Sequence, residues 1–184
     1  MRHAFALLAL VAASACAQVP PATTSPVGPE DAPRVTLDAD RTETEAAVQA
    51  QIEQPGVHVV HLWAPWCGNS RAGLETGWYE TIAAHPDVSF TFVTIWNDND
   101  DGLAALRRYG IPESATVLAQ PDRGPSADRS LRRTSFLGLP LSWTPTTWVF
   151  NRGGKLAYAF NYGEVSAEML QTAIEHAQAS WEHD

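Results

Sequence analysis

The stretch VVHLWAPWCGNSR, residues 59–71, decides how this chain folds. Its first half belongs to VHVVHLW, 57–63, a nearly unbroken β-branched and apolar run such as a central strand covered on both faces requires. After Cys67, NSRAGLETGWYETIAAH sets Leu74, Trp78 and Ile82 at helical spacing and stops at Pro86, which predicts one helix. Gly73 and Gly77 within it weaken that helix or mark a close packing contact. Cys67 therefore stands where strand turns into helix. Unpaired backbone N–H groups and the helix dipole face a sulfur in that place and favour thiolate over thiol. Ser70 follows one helical turn later, with a hydroxyl able to donate to the same sulfur. Trp63 and Trp66 bracket the site; Trp63 reads as core packing, and Trp66 as surface around the thiol.

Working outward, RVTLD at 34–38 is a short strand candidate, and folding is expected to begin near Val35. TETEAAVQAQIEQ has Thr42 and Glu45 at capping-box spacing and ends before Pro55-Gly56, which predicts a helix. VSFTFVTIW, 88–96, predicts a strand, and DNDDGLAALRRYG a helix with acids first, arginines late and Gly110 at its end. ATVLAQ is a short strand candidate, and PDRGPSADRSLRRTS reads as loop with a helical turn. TTWVF, the turn NRGG and KLAYAFNY predict an antiparallel hairpin. SAEMLQTAIEHAQASW predicts a closing amphipathic helix with Met169, Ala173, Ile174 and Ala177 on its apolar side. No internal repeat is present. The order implies an α/β fold, a central mixed sheet flanked by helices on both faces.

The chain has 184 residues, 45% hydrophobic and 18% charged, with a formal net charge of −9, which suits one domain with an N-terminal extension. That acidity argues against a nucleic-acid footprint and against polybasic docking on anionic lipid. MRHAFALLALVAASACA has a basic start, an apolar run and a small-residue end, the pattern of a signal peptide at 1–15. AASAC resembles a bacterial lipobox, which implies cleavage before Cys16 and lipidation of its sulfur, with Ala17 fitting an outer-membrane destination. An ordinary secretory signal cut after Ala15 or Ala17 is the other reading. Residues 16–34 form the lipid-bearing cysteine and a proline-rich tether of ~3 Å per residue, and 35–184 the folded domain. Either way the domain is exported, and Cys67 is left as a single thiol in an oxidising compartment.

Two signatures carry a family resemblance. VVHLWAPWCGNSR resembles the active-site strand and helix start of the thioredoxin superfamily, and WTPTTWVFNRGGKLAYAFNYG resembles its cis-proline loop and hairpin. The strand–helix insertion between them, 88–138, is most similar to the TlpA/ResA branch of extracytoplasmic thioredoxin-like proteins. The resemblance implies a thioredoxin-like fold over about 35–180. It also implies a cis bond before Pro145, opposite Cys67, with the backbone of Thr144 pairing with an incoming peptide and Trp66 beside it.

The departures bear on function. Ser70 replaces the resolving cysteine of a two-sulfur site, so the family's dithiol cycle does not carry over. His61 stands where cytoplasmic relatives keep a buried acid; it reads either as a thiol proton acceptor near neutral pH or as a hydrogen-bonded core histidine. Asn69 replaces a frequent proline, and Arg71 reads as solvated. No metal set, phosphate loop or hydrolase elbow is present, and no cofactor is expected. Two functions remain. One is a membrane-tethered monothiol protein acting through Cys67 on thiols and disulfides of exported proteins, with an external thiol reductant or the client's own cysteine as resolver. The other is a redox-inactive thioredoxin-fold binding or chaperone-like module.

Overall fold

Strand β1 (Val57–Trp63) is buried at every position, and this makes it the middle of the sheet. It pairs in parallel with β2 (Val88–Thr94), Val57 opposite Val88 through Trp63 opposite Thr94. β2 pairs in parallel with β3 (Thr116–Ala119) at one edge. On the other side β1 pairs antiparallel with β6 (Thr146–Phe150), which forms the expected hairpin with β7 (Leu156–Asn161). The order is β3-β2-β1-β6-β7, and a ribbon of β4 (Ser135–Phe136) and β5 (Leu139–Pro140) lies apart from it. The computed structural model describes residues 41–75, 77–161 and 165–179. The signal peptide, Cys16, the tether, the strand expected at 34–38 and the start of the domain at 35 lie outside the described residues.

Alternate side chains of β1 feed two separate cores, as the period of a strand requires. Val57, Val59 and Trp63 pack with Trp78, Ile82, Leu106, Leu170 and Ile174. Val60 and Leu62 face the other way, toward Val48, Ile52, Phe136, Leu141 and Trp148. Thus α1 (Glu43–Ile52) and the ribbon cover one face. Helices α3 (Trp78–Ala84), α4 (Leu103–Arg108) and α5 (Ala167–Gln178) cover the other. No helix among the described residues is long and apolar enough to cross a membrane.

The capping box of α1 forms as the spacing requires: Thr42 accepts from Glu45 N–H, and the Glu45 carboxylate accepts from Thr42 N–H at 3.0 Å. Its second oxygen accepts from the Leu137 N–H at 2.9 Å, tying α1 to the ribbon. Three expectations are corrected. The helix after Cys67 is two helices, α2 (Gly68–Leu74) and α3, because Gly77 adopts φ 92°. A Cβ there would stand 3.1 Å from Ala167 Cβ, so the break also lets the start of α5 approach. The expected 98–110 helix is confined to Leu103–Arg108, since Asp98, Asn99 and Gly102 all have positive φ and cannot propagate helical turns. Met169 is 49% exposed, and Leu170 takes its place on the buried stripe with Ala173, Ile174 and Ala177.

Candidate functional site

The antiparallel pairing of β6 with β1 brings the segment before β6 beside the end of β1, where Cys67 lies. Cys67 is the N-cap of α2, half-buried and free of any disulfide. Its Sγ donates to the Thr144 carbonyl at 3.4 Å, across 77 residues of sequence. The Thr144–Pro145 peptide bond is cis. The expected opposition of Cys67 and the 144–145 turn is present.

Ser70 does not serve the sulfur. It is wholly buried, its Oγ accepts from Ala64 N–H at 3.2 Å, and it shares a 3.1 Å hydrogen bond with Thr144 Oγ1. The serine thus ties the end of the active-site strand to the cis-proline turn. Among the described residues no hydrogen bond joins its hydroxyl to Cys67.

His61 projects into the core on the Val59 and Trp63 side. Its ring centroid lies 4.7 Å from that of Trp78 and 5.5 Å from that of Phe92. Nδ1 shares a 2.8 Å hydrogen bond with Thr147 Oγ1, and the buried Nε2 has no partner among the described residues. Burial pushes its pKa down from 6.5 to about 3, because the imidazolium would lose its water. The ring is therefore neutral at pH 7. Of the two sequence readings, this geometry is that of a core histidine; a base this weak does not hold a thiol proton near neutrality.

Trp66 is 45% exposed beside the thiol, and Trp63 is fully buried, both as expected. The Trp66 indole is fixed by donating to the Trp96 carbonyl at 2.7 Å. Trp96 holds that carbonyl in place with φ 53°, a backbone region unusual for a bulky residue. Its own indole N–H donates to the Arg133 carbonyl at 3.1 Å. Arg71 donates weakly to the Pro65 carbonyl at 3.4 Å and is otherwise solvated. Sequence reasoning missed Trp96, Trp143 and Arg132 as neighbours of the thiol. Trp143 had a signal, since it immediately precedes Thr144; Trp96 and Arg132 had none. Among the described residues no group of His, Cys, Asp and Glu could hold a metal ion.

The sheet order, Cys67 at a helix start and the cis-proline turn facing it define a thioredoxin-like fold. No family model and no curated protein matches the chain. Among solved structures, it is similar to a secreted Mycobacterium tuberculosis disulfide oxidoreductase homologous to E. coli DsbE, at 19% identity over 67% of this chain and 84% of that one, TM-score 0.49. It is similar to a thiol:disulfide interchange protein of the thioredoxin family from Chlorobium tepidum TLS, at 14% identity over 70% of this chain and 83% of that one, TM-score 0.49. It is also similar to a secreted thiol-disulfide isomerase from Corynebacterium glutamicum, at 20% identity over 67% and 71%, TM-score 0.48.

Proposed function

We propose that this chain is an exported, lipid-anchored protein that exchanges thiols and disulfides on other exported proteins through one sulfur, Cys67. The observation that carries the reading is the half-buried Cys67 at the start of α2, its sulfur on the Thr144 carbonyl at 3.4 Å and both residues lining an open cleft. In the first step the Cys67 thiolate attacks one sulfur of a client disulfide. A Cys67–client disulfide forms, and the client's other sulfur leaves as thiolate. The backbone at Thr144 and Pro145 offers an edge for the client peptide, and Trp66 forms the adjoining wall.

Ser70 cannot complete the cycle: an alcohol does not displace a disulfide, and this one is already engaged on both sides. It acts as a positioning residue. Release then comes from an external thiol, which gives net reduction, or from the client's own second cysteine, which gives isomerisation. His61, neutral and enclosed, supports the strand end rather than accepting the thiol proton. Cleavage of the 1–15 signal and lipidation of Cys16 would hold the domain at a membrane, the outer membrane by the Ala17 criterion, with 17–34 as spacer.

The test is acid quenching and alkylation of cells expressing the full chain, followed by non-reducing gels. Mixed disulfides with exported proteins, discharged by reductant and absent from Cys67→Ala, are expected. The engagement of Ser70 in the scaffold favours one competing reading, a binding module. That reading would be established if Cys67→Ala kept the biological role while Trp66→Ala lost it.

A further inference from the structure

Cys67 opens onto a cleft of about 520 Å³, a volume that suits a small molecule. Its other walls carry two guanidinium groups, Arg129 and Arg132, and the indoles of Trp66 and Trp143. No carboxylate among the described residues lines it, although the chain as a whole carries a net charge of −9. Arg132 is held in place: its guanidinium carbon lies 4.9 Å from the Trp66 ring centre and 5.0 Å from that of Trp96, and its Nε donates to the Ser126 carbonyl at 2.9 Å. Its terminal nitrogens make no hydrogen bond among the described residues, and neither does the side chain of the exposed Arg129. The nearest acid in sequence, Asp128, is occupied by the N–H and hydroxyl of Ser130. Two cations without a counter-charge among the described residues, one of them clamped between aromatic rings, line the same cleft as Cys67.

From this we infer that the cleft binds the carboxylate of a small acidic thiol, and that such a thiol is the external resolver of Cys67. The inference rests on the thiol-exchange function proposed above and names its co-reactant by class. In the resolving steps, one acidic thiolate attacks the Cys67 sulfur of the Cys67–client disulfide and expels the client sulfur as thiolate. A second attacks the sulfur now joined to Cys67, which leaves as thiolate. The client disulfide gains two electrons, and two acidic thiols become one disulfide. Guanidinium groups suit carboxylates because their planar N–H pairs match the two oxygens. The indoles give the ligand's carbon skeleton an apolar wall.

The experiment uses the full chain with Cys16→Ser, so that Cys67 is its single thiol. Rates of Cys67 modification are measured with the dianionic 5,5′-dithiobis(2-nitrobenzoate) and with neutral 4,4′-dithiodipyridine, each relative to a neutral cysteine peptide. The anionic-to-neutral ratio is expected to exceed that of the peptide by on the order of tenfold at low salt. It should fall severalfold in Arg129→Gln, which alters only an exposed turn, and be retained in Arg132→Lys. Arg107→Gln, on helix α4 and not among the residues lining the cleft, removes the same charge and should leave the ratio in place. A ratio at or below that of the peptide with rapid neutral labelling overturns the inference and leaves the exchange reading standing. An equal fall in Arg107→Gln overturns it too, since overall charge then accounts for the effect. If neither reagent modifies Cys67, the exchange reading itself falls.

Discussion

A hydroxyl one helical turn after Cys67 does what a thiol would do poorly. Oxygen is a good acceptor for the buried Ala64 N–H and a good partner for Thr144 Oγ1, whereas sulfur is weak in both roles. Ser70 is thus part of the frame that sets the distance between the sulfur and the proline turn. His61 makes a second single-residue statement. Its folded pKa of about 3 lies below the ordinary 6.5, so between those values the unfolded chain binds a proton that the native chain does not. Stability contributed by the neutral ring is therefore present above pH 6.5 and is lost as pH falls toward 3. Between pH 7 and 4.5 the loss should be about 2–3 kcal/mol. Urea unfolding across that range should show a flatter pH dependence for His61→Gln than for the unaltered chain. Equal slopes would mean that the ring is hydrated in the native state.

At the scale of elements, Gly102 seats helix α4 against the ends of β1 and β2. It caps α4 at φ 70°, and a Cβ there would lie 2.6 Å from Trp63 Cζ2 and 2.9 Å from Thr94 Cγ2. Gly102→Ala combines left-handed strain with overpacking against a wholly buried indole, and should destabilise by about 2–4 kcal/mol in chemical unfolding. A loss below about 1 kcal/mol would show that Trp63 gives way easily. Elements whose signals are local were legible in the sequence. The capping box needs only Thr42 and Glu45, and β1 announces its two covered faces by its unbroken apolar run. The helix after Cys67 reads as continuous in the sequence because the periodicity of Leu74, Trp78 and Ile82 survives the break at Gly77. Met169 was placed in the core by spacing, but the axis of α5 is set by how Leu170 and Ile174 meet the sheet. The cysteine, serine and proline of the site were legible as motifs. The work of Ser70 was not, because its partners lie at Ala64 and Thr144. Nor was the clamp on Arg132, whose rings belong to two other loops.

For the whole molecule, the sheet order places Cys67 just past the C-terminal end of the central strand, where the chain leaves the sheet and the cis-proline turn returns beside it. On the proposed anchor, a tether of eighteen residues (17–34) at ~3 Å each would let that end face reach clients well beyond the headgroups. If Cys16 carries acyl chains, the full chain should enter the detergent phase of a cloud-point partition, and Cys16→Ser should remain in the aqueous phase. Aqueous partition of both would replace the anchor with simple secretion. Of the six described tryptophans, Trp63, Trp78, Trp96 and Trp148 are buried, while Trp66 and Trp143, at 45% and 54% exposure, both border the thiol. Among the described tryptophans, red-shifted emission therefore originates at the cleft mouth, and Trp181→Phe isolates it. The protein carries a native optical reporter there, so its occupancy can be followed by ultraviolet fluorescence without attaching a dye.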